Sequence, residues 1–505
     1  MAHDADAMEA TVDGSAAMPL APDTGPSVLQ HHKHATRDGL YVDPLLTKGS
    51  AARLQRDAAF NGVIDGAVFA QVLYVEAGPK GREAILAVTE KNNLYALDAA
   101  TGVVLWMQNL APAMTDPATT IGCGNIAPLG VTSTPIVDLP ARRVYVAGVT
   151  AAAGGVPPML QKVFAVSLDD GRPIAGWPVD VDAKVPGFDS KVQNQRGALA
   201  LLNGTLYVPY GGFNGDCGMY HGHVVGISTA DPSVVKDYAL KAEAAGIWGP
   251  SGIASDGTNL FATTGNARPG TDLWQGQEAV LRFQPGPTFS DAATDFFTPS
   301  NWSYLDAQDL DLGGAGPIVL DLPGATPSQL VVALGKQGTV HLVDRANLGG
   351  FGKGDGGTGE GVASLVVADG EIKNAGASYA TAKGTYVVFN ADAAGVGCPK
   401  ARGGNLVALR LGIASPPTIE VAWCNTPPGA GAPMATTTDG KTDPLVWVTG
   451  SQRLYAFDGD TGDVVFKGGG APEAMSNVNH WISPIAVKGR IVVAGDDAVY
   501  AFSVK

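Results

Sequence analysis

The sequence predicts an all-β protein, a single eight-bladed β-propeller of four-stranded antiparallel blades, with seven blades as the alternative count. Three observations favour this fold. A strand–turn–strand unit recurs roughly every 40–70 residues, which is typical of a repeat architecture. Glycine and proline are abundant, 67 and 34 of 505 residues, and are spread along the chain as many tight turns require. Helix-period patterns are almost absent, apart from short candidates at 43–58 and 235–245.

The clearest copy of the repeat is NNLYALDAATGVVLW at 92–106, which returns as SQRLYAFDGDTGDVVF at 451–466. In both copies an apolar, β-prone run leads into an Asp, a Thr-Gly turn and a second β-prone run. Gly102 and Gly462 can supply the positive φ that a tight hairpin turn requires. We expect Trp106 to pack between its own blade and the next one, because a lone hairpin has too little core.

Small residues followed by an apolar finish mark the first strand of each repeat, as expected where strands converge on an axis. The repeats run over about 62–110, 122–182, 191–240, 246–302, 309–351, 375–425, 429–466 and 479–505. The last repeat is short, so we expect an N-terminal strand around 27–31 to complete it and help close the ring. Residues 1–28 are predicted to be a disordered leader, and 29–505 the propeller domain.

Charge and hydropathy exclude two classes of partner. The net charge is −15, from 33 basic and 48 acidic residues, which disfavours nucleic acid because nucleic-acid binding needs basic patches. No apolar run is long enough to span a membrane. Residues 1–28 lack the basic flank and apolar core of a signal peptide.

The four cysteines, Cys123, Cys217, Cys398 and Cys424, predict two disulfides and an oxidising compartment, periplasmic or extracellular. Three pairings are open. We favour Cys398–Cys424, within one repeat, and Cys123–Cys217, from adjacent repeats; the alternative is four reduced, buried thiols. No CxxCH or CxxC motif occurs, so covalent haem and a zinc knuckle are not indicated.

The pattern LYALDAATGxxxW, together with GKQGTVHLVDR and TTGN, resembles the pyrroloquinoline-quinone-repeat propellers over about 62–505. This family includes the quinoprotein alcohol and methanol dehydrogenases, and non-catalytic relatives such as the outer-membrane assembly lipoprotein. The resemblance implies a secreted or periplasmic oxidoreductase that acts on an alcohol, polyol or sugar. The alternative that it implies is a non-catalytic propeller that binds a protein partner or a glycan.

Four segments resemble functional segments of the dehydrogenases. FATTGNARPG matches the segment with an Asn ligand to calcium, which is Asn266 here. GIWGPSG matches the segment whose Trp stacks on the quinone, which is Trp248. FFTPSNWSYLDAQDLDLGG matches the stretch with the catalytic Asp, for which Asp311 fits best and Asp309 next. GKQGTVHLVDR matches the segment with a basic residue beside the quinone carbonyls, which is Lys336.

These residue types suit hydride transfer to an ortho-quinone. A cation at the carbonyl oxygen draws electrons from the carbon that accepts the hydride, a carboxylate takes the alcohol proton, and a flat ring holds the cofactor by stacking. Two departures bear on calcium. Cys217 stands where methanol dehydrogenases place a calcium-binding Glu, and no vicinal Cys pair exists. Calcium bound only by Asn266 and one Asp would be poorly held.

Other polar residues open the inner strands of further repeats. Arg196, in QNQRG, and Asn125, at a similar height, are candidates for cofactor binding. Arg196 could bind an anionic or sugar ligand, with a structural salt bridge as the alternative. His221 and His480 could form an axial transition-metal or polar-substrate site, or could be hydrogen-bonded histidines of the channel. HHKH at 31–34 fits a metal clamp or a packed polar run.

Overall fold

Eight small antiparallel sheets, each built mainly from one consecutive stretch of chain, form the blades of a propeller in the computed structural model. The structure describes residues 25–268, 270, 273–356, 359–399, 402–429, 431–450 and 452–504. The predicted eight-bladed fold is confirmed. Most of the expected leader, 1–24, lies outside the described residues, whereas Val28 is buried and forms a β-bridge with Tyr74 of blade 1.

Each blade places its first strand innermost and its later strands progressively outward. The strands of the first four blades are Leu73–Val75, Ala84–Val88, Asn93–Asp98 and Val104–Asn109 in blade 1; Ile136–Asp138, Arg143–Ala152, Val156–Ser167 and Val179–Asp180 in blade 2; Gln193–Asn194, Ala200–Leu202, Thr205–Gly212, His221–Ser228 and Val235–Glu243 in blade 3; and Ala254–Ser255, Leu260–Thr263, Val280–Phe283, Phe296–Thr298 and Gly350–Phe351 in blade 4. Those of the last four are Ile318–Asp321, Gln329–Leu334, Thr339–Asp344 and Ala363–Val366 in blade 5; Ala377–Thr381, Gly384–Asn390, Leu406–Gly412 and Thr418–Asn425 in blade 6; Met434–Thr437, Leu445–Thr449, Leu454–Asp458 and Val464–Lys467, joined by Leu40–Val42, in blade 7; and Ile485–Val487, Arg490–Gly495 and Ala498–Val504, joined by Leu54–Arg56 and Gly62–Val63, in blade 8.

Helices are few and short. They are Lys48–Ala51, Pro117–Ile121, Val181–Lys184 and Trp302–Gln308, with 3₁₀ turns at Pro79–Gly81, Leu312–Gly314 and Ala471–Glu473. Across the described ranges, none has the length and apolar character needed to cross a bilayer. The helix expected at 235–245 is wrong. Val235–Glu243 is the outer strand of blade 3, and its alternating exposure near Leu240 and Ala242 shows the period of two of a strand.

The repeat hairpin forms as its residues predict. Asp98 Oδ1 accepts hydrogen bonds from the Ala100 and Thr101 amides, at 3.2 and 3.0 Å, and Gly102 has a φ of 75°. Trp106 donates from its indole N–H to the Leu168 carbonyl of blade 2, at 3.0 Å. The expected packing of this Trp between neighbouring blades is therefore confirmed.

The segment 28–43, which we call the N-terminal plug, crosses the centre of the ring. Its carbonyl oxygens accept hydrogen bonds from the inner strands of six blades; the donors are the amides of Tyr74, Val137, Ser255, Val319, Ser378 and Ala435. Arg37 donates to the Leu199 carbonyl of blade 3 at 2.7 Å, and Asp43 accepts from the Gly489 amide of blade 8 at 2.6 Å. The plug thus bonds to every blade.

The strand that completes blade 8 differs from the one expected at 27–31. Leu54–Arg56 and Gly62–Val63 pair antiparallel with Ala498–Val504, and 27–31 belongs to the plug instead. The HHKH run is packed and polar. His31 and His32 are buried with their rings stacked at 4.3 Å, and His34 pairs with Asp38 at 2.8 Å.

Candidate functional site

A cavity of about 490 Å³ lies among loops of six blades, some leading into inner strands and others joining later strands. Its volume is in the range of small-molecule sites. Eight of the nine predicted site residues line it: Asn125, Arg196, Trp248, Asn266, Asp309, Asp311, Lys336 and His480. His221 is the exception. It does not line the cavity, and its Nδ1 lies 3.1 Å from the Ala242 carbonyl oxygen.

One wall of the cavity is organised around Asp311. Its Oδ2 lies 2.5 Å from Lys336 Nζ, and its Oδ1 accepts a 2.6 Å hydrogen bond from the Asn266 amide. The same lysine pairs with Asp309 at 2.7 Å and lies 5.5 Å from the centre of the Trp248 ring. This wall therefore joins a carboxylate, an ammonium and a flat aromatic face.

Gly265 makes this close packing achievable. A Cβ at this position would lie 2.2 Å from Asp311 Oδ1 and 3.0 Å from Trp248 Nε1. Any larger residue would force the carboxylate and the indole apart. The TTGN turn therefore has two effects: the absence of a side chain at Gly265 leaves room for Asp311 and Trp248, and the Asn266 amide donates to Asp311.

The two candidate aspartates differ in burial. The Asp311 side chain is 4% exposed and that of Asp309 is 68% exposed. Burial raises the pKa of Asp311, while Lys336 and the Asn266 amide act in the opposite direction. Burial opposes the charge on Lys336, but Asp311 and Asp309 outweigh it and raise the pKa of the lysine. Since both carboxylate oxygens of Asp311 keep lone pairs beyond the bonds described, they can accept a further proton donor from the cavity.

Two more buried carboxylates lie behind this wall, and sequence reasoning missed both. Glu278 accepts from the Leu312 amide at 2.6 Å, and Asp306 accepts from the Ala267 amide at 2.8 Å. Burial, reinforced by Asp311, raises the pKa of Glu278 well above its usual range and that of Asp306 to about 6. The sequence feature that could have identified Glu278 is an acidic residue beside an apolar stretch, QEAVLRF, because buried acids are rare unless they are paired.

A second wall comes from blades 3 and 8. The Arg196 guanidinium lies 3.8 Å over the Trp481 ring, and the His480 ring centre is 3.9 Å from that of Trp481. Burial lowers the pKa of Arg196 to about 10 and also lowers that of His480. Trp481 was not singled out from the sequence, although it directly follows His480 in NHW.

Further polar groups complete the lining and were also missed. Lys373 pairs with Glu371 and Asp392 at 2.5 and 2.6 Å. The Tyr220 hydroxyl donates to Asp216 at 2.6 Å. These residues lie in loops without a recognisable motif, and only the ring brings them to the same cavity.

The donor set does not fit a calcium ion. Asp311 is already bonded to Lys336 and to the Asn266 amide, and the Asn266 side-chain amide donates to the Ala267 carbonyl at 3.3 Å. Cys217, in place of the expected Glu, is bonded to Cys123. Of the two candidate histidines, His480 lines the cavity and His221 does not. Over the described residues, no three His, Cys, Asp or Glu side chains are grouped so as to hold a metal.

Both favoured disulfides are present, with Cα–Cα separations of 6.0 Å for Cys123–Cys217 and 5.7 Å for Cys398–Cys424. The first joins two loops that line the cavity, since Asn125 and Asn214 lie beside its cysteines. Two disulfides fit a secreted protein.

No family model matches the sequence, and no curated protein does. Similar solved structures include the quinohemoprotein alcohol dehydrogenase from Pseudomonas putida, with a TM-score of 0.65 and 14% identity over 95% of this chain and 80% of that one. The corresponding enzyme from Comamonas testosteroni gives 0.63 and 13% over the same shares, 95% and 80%. A europium-containing methanol dehydrogenase gives 0.63 and 11% over 95% of this chain and 98% of that one. At such identities the likeness shows a shared propeller fold.

Proposed function

We propose that the protein is a quinone-dependent oxidoreductase of a periplasmic or extracellular compartment that acts on an alcohol, polyol or sugar. The observation that carries the proposal is the convergence of Asp311, Lys336, Trp248 and Asn266 on one wall of the cavity. These are the residue types that alcohol oxidation by an ortho-quinone requires. The likeness of fold to alcohol and methanol dehydrogenases supports the same class.

The cavity suits a planar, anionic cofactor. It has the volume for one, Trp248 offers a flat face, and Lys336 offers positive charge. When bound, an ortho-quinone supplies an electrophilic carbon that accepts a hydride. Trp248 would hold the plane of the ring by stacking.

Asp311 takes the hydroxyl proton of the substrate in this proposal. The Asn266 amide and the Lys336 ammonium hold its carboxylate in one orientation, and burial raises its pKa, which strengthens it as a base. Lys336 supplies a fixed positive charge at the same wall, where negative charge on oxygen develops. Since the donor set does not fit calcium, the ammonium of Lys336 takes the electrostatic role that a metal has elsewhere.

The test is to titrate the purified protein with pyrroloquinoline quinone in EDTA and, separately, with added calcium, following tryptophan fluorescence and visible absorbance. We expect micromolar binding that does not depend on calcium. A dye-reduction assay with alcohols, polyols and sugars then checks turnover. Absence of micromolar binding, or binding without dye reduction for any substrate, contradicts the proposal and favours the non-catalytic alternative.

Trp248 and Trp302 provide matched variants. Trp248 lines the cavity, whereas Trp302 begins the surface helix Trp302–Gln308 and does not. Trp248→Ala should weaken quinone binding roughly fivefold, since a stacking contact contributes about 1 kcal/mol. Trp302→Ala should leave quinone affinity unchanged. Equal effects of the two substitutions would show that the quinone does not stack on Trp248.

A further inference from the structure

The geometry points to a carboxylate-binding subsite formed by Arg196 and Trp481, and to a hydroxy acid or sugar acid as the class of small molecule that it takes. Arg196 lies between the strands Gln193–Asn194 and Ala200–Leu202 of blade 3, and Trp481 precedes the inner strand of blade 8. Blade 8 lies across the eight-membered ring from blade 4, whose loop carries Trp248. The subsite is therefore separate from the Asp311 wall but shares its cavity.

Arg196 differs from the other basic side chains of the cavity. Lys336 pairs with Asp309 and Asp311, and Lys373 pairs with Glu371 and Asp392. Within the described part of the chain, no carboxylate or other acceptor is bonded to the Arg196 guanidinium, which has only the Trp481 ring, at 3.8 Å.

A second polar group without a partner belongs to the ring on which Arg196 stacks. The indole Nε1 of Trp481 is buried and makes no hydrogen bond within the described structure. Buried donors are nearly always bonded, and one that is not is an expected contact for a ligand. Arg196 and Trp481 together thus present both a cation and a neutral N–H without partners.

An unpaired guanidinium that is largely withdrawn from solvent, as the half-buried Arg196 is, is costly unless something binds it. Stacking on an aromatic ring offsets part of the desolvation of the guanidinium and leaves the N–H fork free at its edges. Even with its pKa lowered to about 10, Arg196 is charged at neutral pH. A planar fork of this kind matches a carboxylate with two parallel hydrogen bonds.

The surroundings favour a monoanion over a phosphate dianion. Asp216, Asp309 and Glu371 also line the cavity and would repel additional negative charge. Beyond Arg196, a chamber of about 10 Å³ is lined by Gln71, Thr132 and Thr134. This chamber has room for about one water at most, so an organic anion reaches Arg196 from the main cavity.

The presence of a hydroxyl group on the ligand is inferred from the two walls of the cavity together. A molecule whose carboxylate is bound by Arg196 extends into the cavity that Asp311 lines, and Asp311 accepts a proton from a hydroxyl. This second half rests on the proposed function, whereas the carboxylate subsite does not.

The test compares two six-carbon probes that differ in one charge, D-gluconate and sorbitol, by calorimetric titration of the protein without quinone. We expect gluconate to bind at least tenfold tighter than sorbitol, with a preference that weakens as salt rises. Arg196→Gln should abolish the preference. Arg196→Lys should keep part of it, since the charge persists without the fork, and Trp481→Phe should reduce it several-fold while keeping the ring.

Arg53→Gln, at an exposed position, is the control and should leave the preference intact. Equal binding of gluconate and sorbitol by the wild type, or an unchanged preference in folded Arg196→Gln, would overturn the inference. If Arg196→Gln does not fold, an unchanged preference in both Arg196→Lys and Trp481→Phe overturns it instead.

A quinone titration of the same variants separates the two sources of carboxylate. If Arg196→Gln loses quinone affinity while the wild type shows no gluconate preference, the carboxylate belongs to the cofactor and the substrate assignment is overturned. Because the gluconate titration needs neither quinone nor turnover, failure of the dye-reduction assay alone contradicts the proposed function and leaves the subsite standing.

Discussion

Lys336 Nζ lies 2.5 Å from Asp311 Oδ2, and the Lys336 amide donates to the Asp311 carbonyl at 2.9 Å. The two residues are thus joined through both side chain and backbone. The backbone bond ties the loop before blade 5 to the loop between its second and third strands. The ion pair is therefore held by the blade itself, and its orientation toward the cavity does not depend on a ligand.

Substituting each of the two candidate aspartates shows which one acts as the base and which is only a surface carboxylate. Asp311→Asn should lower the rate of dye reduction by about 10²–10⁴, because the proton acceptor is lost while the shape is kept. Asp309→Asn should change the rate less than about threefold, because this side chain is 68% exposed. Thermal unfolding of both variants checks that the fold persists. Equal losses of activity would remove Asp311 from the role of base.

The buried Asp306 should make stability depend on pH. Burial raises its pKa to about 6, so the folded state binds its proton more tightly than the unfolded state does. The resulting stabilisation is complete below the ordinary pKa of an Asp and is lost as the pH rises through about 6.

We therefore expect the free energy of unfolding of the wild type to fall, relative to that of Asp306→Asn, between about pH 4 and 7. Urea denaturation across this range measures it. A difference between the two proteins that stays constant with pH would show that Asp306 is not held protonated in the fold.

The two disulfides should differ in their effect on ligand binding. Cys123–Cys217 joins loops that line the cavity, whereas Cys398–Cys424 lies within blade 6, away from the lining. Replacing either pair by serine should cost about 2–5 kcal/mol of stability. Only the first replacement should also weaken quinone or gluconate binding, because Asn125 and Asn214 lose their anchor. If both double variants bind alike, the first disulfide does not shape the cavity.

Arg37 should be a main stabiliser of the N-terminal plug. It is buried and donates to the carbonyls of His31, Leu199 and Ile253 at 3.0, 2.7 and 3.0 Å. Arg37→Ala leaves these acceptors without partners and should lower the free energy of unfolding by at least about 3 kcal/mol. Arg53→Ala, at an exposed position, should change it by less than about 0.5 kcal/mol. Similar urea midpoints for the two variants would contradict this role.

The repeat hairpin illustrates what local sequence can specify. Its turn glycine, its strand-ending aspartate and its packing tryptophan act within a few residues or between adjacent blades, so a repeated pattern was enough to predict eight blades. Asn125, Arg196 and His480 were predicted from the openings of the inner strands. Asn266, Trp248, Asp311, Asp309 and Lys336 were predicted from the resemblance to dehydrogenase segments, and all eight line one cavity.

The positions of residues that depend on ring closure could not be predicted from the repeated pattern. The plug bonds through its carbonyl oxygens, which every residue has, and bends at positive φ values at His32, Lys33 and Arg37, so no periodic pattern marks its path. For the same reason 27–31 was assigned to the wrong place. Glu278 and Asp306 carry no motif either, because their significance comes from burial behind Asp311.

The blades could thus be predicted from the sequence alone, because they depend on local hydrogen bonding and side-chain periodicity. Which side chains meet at the centre of the ring was decided by the tertiary structure. Closing the ring places Arg196 of blade 3 against Trp481 of blade 8, and no carboxylate among the described residues is bonded to this arginine. It also places His480, but not His221, at the cavity. Contacts between residues hundreds of positions apart depend on the geometry of the whole ring, and the strength of each charge there depends on how much water that geometry excludes.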